Sequence, residues 1–289
     1  MDVNIRRAHT GDADAIAAFT VDTFEWGDYV ADMLPAWLTA ENGIVLVAAD
    51  ADDRAIALGR AQMLSSTEAW LQGTRVNPQW RRRGIASSVT GALIDWAKEQ
   101  GGRVARLLTE GWNEPAQRQV EKSGFVHTST WVVAGRALTK TEPTTSGNGG
   151  KRARARRKLE LAHSSEAIPA WVSWTSGPLI RPARGLHADG WRWAELTADH
   201  LTRAGKHASL WSSQAGWVVT RVDGDVLYVD WLECGPDDID DMVRSIVDMA
   251  FAAHAGRLRI TVPEVDWLVT ALERAGFESN SMLIYEMPL

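Results

Sequence analysis

The pattern of apolar and polar positions changes period several times along the first half of the chain. Val3–Arg7, GIVLVAAD (43–50) and AIALGRAQML (55–64) carry alternating or continuous apolar runs that predict strands, and the turn ADDR joins the last two into a hairpin. Between the first two lies a helix from about Asp12, with Ile16 and Phe19 on its inner face, and then an irregular aromatic stretch, FEWGDYVADMLPAW (24–37). AWLQGTRV (69–76) predicts a further strand, NPQW a turn, and about Gly84–Gln100 a helix. In that helix Ile85, Val89, Ala92, Leu93, Trp96 and Ala97 recur at one-face spacing. Gly101 and Gly102 stop it, and strand RVARLLT (103–109) follows. Asn113 caps a short helix with Pro115 in its first turn, ended by Gly124, and a last strand runs from Phe125 to about Val133. The plan is mixed α+β with a β-helix-β unit at its centre.

TKTEPTTSGNGG (139–150) is polar, aperiodic and rich in small residues, and KRARARRK (151–158) follows it. The two together read as a linker between an N-terminal domain at 1–138 and a C-terminal domain at 159–289. After it the plan returns in weaker form: strand DVLYVDWLE, helix PDDIDDMVRSIVDMAFAAHAG, strand RLRITV, helix EVDWLVTALERAGF and strand SMLIYEM. SGF (123–125) and AGF (275–277) align across the halves, which reads as a diverged internal duplication.

Composition narrows the classes. The chain has 289 residues and a formal net charge of −6. Without the basic run, 25 basic residues face 37 acidic ones, a net −12. The folded parts are therefore acidic, which argues against broad nucleic-acid binding and leaves that reading resting on KRARARRK alone. No apolar run is long enough to span a bilayer, and the N-terminus lacks a signal-peptide apolar region. A cytoplasmic protein is expected. The single cysteine, Cys234, excludes an internal disulfide and a cysteine-based zinc site, and reads as a small buried hydrophobe. His187, His200 and His207 are not at metal-ligand spacing, and no metal is expected. The fifteen tryptophans have no regular spacing and read as core or pocket walls.

One stretch raises a chemical question. RRRGIA (81–86) stacks three arginines between a strand and a helix and then drops to small residues. The first turn of a helix has unpaired N–H groups and the positive end of the dipole, so it attracts anions. Gly84 and Ala86 leave the backbone bare beside Ile85, and successive amides there can form a nest. Arg81, Arg82 and Arg83 add guanidinium donors and Ser87 a hydroxyl. A pyrophosphate would relieve the repulsion. The stretch lacks the Gly-Lys-Ser/Thr ending of a Walker loop and the three glycines of a dinucleotide fingerprint.

These residues resemble the GNAT acetyltransferase superfamily. Its pyrophosphate-loop pattern, Gln/Arg-x-x-Gly-x-Gly/Ala, matches Arg81 to Ala86, its preceding strand matches AWLQGTRV, and its later Asn, Ala and Gly-Phe match Asn113, Ala116, Gly124 and Phe125. The resemblance covers about residues 3–134. It implies a tandem arrangement of two GNAT-like domains, each a mixed, mostly antiparallel sheet flanked by helices, with the C-terminal one degenerate. It also implies acetyl-CoA as cosubstrate and an N-acetyltransferase acting on a primary amine of a small molecule. A homodimer remains open.

Gly73 inside a strand predicts a bulge that splays this strand from the next. The backbone of Thr74, Arg75 and Val76 could then pair with the pantetheine arm, and one N–H, that of Val76, would polarise the thioester carbonyl. The amine then attacks directly, without a covalent enzyme intermediate. Glu68 is the first candidate base, because period 2 puts Glu68, Trp70, Gln72, Thr74 and Val76 on one face; Glu110 is the second. Trp26, Tyr29 and Trp37 could wall the acceptor pocket, and Glu25 and Asp28 could attract an amine. One departure stands out: many family members carry a thiolate-protonating tyrosine where this chain has Val120. That departure supports a second expectation, a non-catalytic acyl-CoA-binding protein. In the C-terminal half the equivalent helix starts CGPDDIDD, whose acids would repel a pyrophosphate, so that half is expected not to bind CoA in the usual way.

Overall fold

A computed structural model describes residues 3–21, 23, 27–139 and 158–289. Of the predicted linker with its basic run, 139–158, all but its two end residues lie outside the described residues. The chain forms two compact units. Unit 1 comprises residues 1–109, 113–127 and 284–289, and unit 2 comprises 110–112 and 128–283.

Unit 1 is built on β1 (Asn4–Arg7), β2 (Gly43–Ala49), β3 (Ala55–Met63), β4 (Glu68–Val76) and β5 (Val104–Glu110), adjacent in that order. The pairings are antiparallel except β4 with β5, which are parallel. Helices α1 (Ala13–Thr20) and α2 (Val30–Thr39) pack on one face, burying Ile16, Phe19, Leu34 and Trp37 against Val45, Val47 and Leu58. Helix α3 (Ile85–Glu99) covers the other face through Ile85, Val89, Leu93 and Ala97, the spacing that the sequence predicted. A helix α4 (Glu114–Lys122) follows β5, with Pro115 in its first turn and Asn113 as its cap: the Asn113 side chain accepts a hydrogen bond from the Ala116 amide at 3.3 Å. At the other end of the unit Arg6 forks onto both oxygens of the buried Asp12 at 2.8 Å, tying β1 to the start of α1.

Unit 2 repeats this plan with additions that the sequence pattern did not reveal. Its strands are adjacent in the order β6 (Val126–Ala137), β13 (Arg257–Pro263), β12 (Val226–Cys234), β11 (Gly216–Asp223), β10 (Leu210–Ser213) and β7 (Glu160–Leu161). Again the one parallel pairing among these, β12 with β13, occupies the centre. A separate hairpin, β8 (Leu186–Asp189) and β9 (Arg192–Glu195), and the helices α5 (Ala167–Ser176), α6 (Ile180–Ala183) and α7 (Ala198–Lys206) fill the stretch 159–224 around these strands. Helices α8 (Ile239–Ala252) and α9 (Asp266–Arg274) take the places of α3 and α4. Cys234 is buried, as expected of a small hydrophobe, and burial pushes its thiol up.

The last strand of each half is exchanged. The sequence boundary assigns β6 to the first half and β14 (Glu278–Pro288) to the second. The compact units cross that boundary: residues 128–137 of β6 belong to unit 2, where β6 pairs antiparallel with β13, and residues 284–289 belong to unit 1. There the Leu289 amide donates to the Arg103 carbonyl at 2.9 Å and Arg106 Nε donates to Glu286 at 2.7 Å. Each unit is therefore closed by the other half's final strand.

Candidate active site

The β4–β5 pair opens like a V. Its parallel partners are Glu68 with Val104, Ala69 with Ala105 and Trp70 with Arg106, and among the described residues the register ends there. The cause is local. Against β3, Gln72 pairs with Arg60 and Arg75 with Leu58, so Gly59 is set against two residues, Gly73 and Thr74. That is the bulge predicted at Gly73, whose φ of +70° suits only glycine without strain. A Cβ there would also lie 2.9 Å from the Trp37 ring. The bulge and the residues after it, Thr74 to Val76, lie past the end of the β4–β5 register.

The bulge also corrects the face assignment. Strict alternation put Thr74 and Val76 on the face of Glu68. The extra residue shifts the phase by one, so Arg75 shares the face of Glu68, Trp70 and Gln72, while Thr74 turns toward α3: its Oγ1 lies 3.2 Å from the ideal Cβ position of Gly59, beside Val89 and Leu93.

On the α1–α2 face the aromatic stretch meets the bulge. Trp37 is buried over Gly73, with the Arg60 guanidinium 5.2 Å from its ring centroid and Tyr29 edge-on at 5.9 Å. The side chain of Arg75 reaches Asp28 at 2.6 Å and lies 5.7 Å from the Tyr29 ring centroid. Asp28 also accepts from the Val30 amide at 3.0 Å, so this carboxylate holds the start of α2 onto β4. Tyr29 is partly exposed. Trp26 and Glu25 lie outside the described residues.

At the narrow end of the V, Glu68 is buried and bonded to Arg106 Nη1 and to the Ser65 hydroxyl, the latter at 3.2 Å. The same guanidinium donates to Glu286. One cation thus joins β4, β5 and β14, and the Glu68 carboxylate is held as part of that brace. Glu110, the second candidate, is the last residue of β5.

The wide end leads to the arginine stretch. Asn77 caps a short turn of helix, Pro78–Trp80. Arg82 then takes φ +64° and Gly84 φ +79° before α3 begins at Ile85. Left-handed residues next to a helix start turn consecutive amides inward, as a nest requires. The amides of Ile85, Ala86 and Ser87 precede any i−4 partner in the helix. A Cβ on Gly84 would meet no atom within 4 Å, so the approach is open. Arg81, Arg82 and Arg83 are exposed. Arg81 Nε donates to the Val76 carbonyl at 3.3 Å, Arg83 donates to the Gln79 carbonyl at 3.4 Å and lies 4.9 Å from the Trp80 ring centroid, and Arg82 has no ion-pair partner among the described residues. The donors, the open strand edge and the bare helix start lie in chain order along one strand-to-helix connection. They fit a long, doubly phosphorylated thioester carrier.

Residues 13–125 match the model of the Acetyltransferase (GNAT) family. That segment, less than half of the chain, resembles a GNAT domain. The chain's tandem form is matched over nearly its whole length. A GCN5-related N-acetyltransferase from Sphaerobacter thermophilus aligns over 99% of this chain and 95% of that one at TM-score 0.65 and 12% identity. A tandem GNAT protein from the clavulanic acid biosynthesis pathway covers 99% and 98% at 0.58 and 12%. A GCN5-related N-acetyltransferase from Kribbella flavida covers 100% and 71% at 0.52 and 13%. No curated protein matches the sequence. The match over residues 13–125 and the shared fold are consistent with acetyl transfer from acyl-CoA in general. Among the described residues no helix is long and apolar enough to cross a membrane.

Val120, where the resemblance implies a tyrosine, is buried on α4. Sequence reasoning missed a tyrosine that reaches the same helix. Tyr285 of β14 donates to Glu121 at 3.1 Å, and burial together with that bond pushes its phenol up to about 12. Its assignment to the C-terminal half hid it, since Tyr29 is the sole tyrosine before the linker.

Proposed function

We propose that unit 1 is an acetyl-CoA-dependent N-acetyltransferase that transfers an acetyl group to a primary amine of a small molecule by direct attack, in the cytoplasm. The V between β4 and β5, opening at the Gly73 bulge beside the arginine-rich start of α3, carries this reading. When bound, acetyl-CoA supplies an activated thioester. The α3 amides and Arg81–Arg83 would hold the pyrophosphate. The edge of Thr74, Arg75 and Val76 would pair with the pantetheine amides, and the Val76 N–H would polarise the acyl carbonyl. Trp37 and Tyr29 would wall the acceptor, with Asp28 acting through Arg75 to fix that wall. Glu68, held in the Arg106 brace, is the first proposed base and Glu110 the second.

Thiol release from acetyl-CoA with a panel of small primary amines tests this. Turnover with at least one amine, abolished in Glu68→Gln or in Glu110→Gln, is expected. CoA binding without turnover of any amine would instead establish the second reading, a non-catalytic acyl-CoA-binding protein, which the buried Val120 favours.

A further inference from the structure

Unit 2 holds a cation that its fold has left without a carboxylate. The parallel pair at the centre of each unit can be superposed by register. In unit 1 Trp70 pairs with Arg106; in unit 2 Tyr228 pairs with Arg259. Two residues before Trp70 stands Glu68, which bonds Arg106; two residues before Tyr228 stands Val226. On the other side Arg106 bonds Glu286 of β14; Arg259 is set against Gly135 of β6. Both anionic partners have thus become residues without a polar side chain, and the arginine has stayed.

A cavity of about 670 Å³ occupies the space this leaves. Arg136, Arg257, Arg259, Tyr228, Glu278 and Asn280 are among the residues that line it. Arg257 has a weak ion pair with Asp225 at 3.4 Å. Arg259 makes no hydrogen bond or ion pair among the described residues; its guanidinium sits 5.6 Å from the ring centroid of Trp191 and 5.6 Å from that of Tyr228. Flanking rings fix the plane of a guanidinium by cation–π attraction but leave its N–H fork unused. A half-buried cation without an anion is a cost to the fold unless something supplies the charge. The volume suits a small ligand.

We propose that this pocket is a second ligand site, separate from the acetyl-CoA groove of unit 1, and that it takes a small organic oxyanion whose carboxylate or phosphate group docks on Arg259 with Arg257 and Arg136 beside it. The oxyanion replaces the charge that Glu68 and Glu286 supply in unit 1.

Calorimetric titration of the full chain at low ionic strength with citrate, glycerol 3-phosphate and inorganic phosphate tests the proposal and separates carboxylate from phosphate. At least one anion is expected to saturate a site below about 10 mM, and to bind at least about tenfold more weakly to Arg259→Gln. Val226→Glu, which restores the internal carboxylate, is expected to abolish binding while leaving the melting temperature unchanged or raised, so loss of binding cannot be read as loss of fold. CoA titrations should be the same for all three proteins. If no anion saturates, or if binding persists unchanged in Arg259→Gln, the assignment is wrong; the second outcome would place the anion on the arginines of α3.

Discussion

Arg106 and Arg259 stand at one register position in two copies of the same strand pair, and their surroundings have diverged in opposite directions. Arg106 is enclosed by Glu68 and Glu286 and braces the narrow end of the V. Arg259 has lost both partners and faces a cavity. The two helix starts diverge the other way. Before α3, three exposed arginines gather positive potential beside an open glycine. At α8 the acids cluster and are consumed internally, Asp241 by Arg244 and Asp240 by Arg274 at 3.0 Å. A duplicated framework thus keeps strand register and helix position while moving its uncompensated charge, and where the charge is left over is where a ligand can be held.

Substitutions at the paired sites sharpen this contrast. The largest effect is expected for Arg106→Ala, which strands two carboxylates, Glu68 buried and Glu286 partly so, and should cost about 3 kcal/mol in denaturant unfolding. Arg259→Ala, which removes only ring contacts, should cost under about 1 kcal/mol. Equal losses would dissolve the comparison. Next, Arg82→Glu combined with Arg83→Glu should weaken CoA binding by at least about a hundredfold, since each charge-assisted phosphate contact is worth about 1.5–3 kcal/mol. The matching removal of acids from α8, Asp240→Asn with Asp241→Asn, should create no CoA site, because that start lacks the arginines.

A third test uses Glu233 in unit 2. This carboxyl is buried with one oxygen unpartnered, and desolvation pushes its pKa up to about 8. Folding therefore favours its protonated form. That contribution is fully present below the ordinary carboxylate range and is lost as pH rises toward about 8. Melting curves of Glu233→Gln should overlay those of the parent near pH 4 and lie above them at pH 8.5. The smallest expected effect is Asn113→Ala, about 1 kcal/mol from the lost α4 cap, with CoA affinity unchanged if the side chain does no more than cap.

Local features were legible because each has a local cause. The α3 face follows from 3.6-residue spacing, the Gly73 bulge from a glycine inside an apolar strand, and the Asn113 cap from a polar residue ahead of Pro115. Features set by tertiary structure were not. Alternation could not anticipate that the bulge would swing Arg75 onto the face of Glu68, nor that Arg75 would claim Asp28. Elements of 159–224 are short and interrupted by Gly177, Gly185 and Gly190, so their periodicity never accumulates. The exchanged strands were illegible for a stronger reason. FVHTST and FESNSM each follow a Gly at the end of a helix, and nothing nearby in the chain says which central pair either will join.

That exchange has a consequence for how the protein is made. Arg106 meets Glu286 across 180 positions of chain, and Tyr285 meets Glu121 across 164. A ribosome that has released the N-terminal half has therefore not yet delivered the strand that closes it, so folding must wait on late synthesis or tolerate a temporary edge. Severing the chain between the halves would yield two pieces, each carrying the other's missing part.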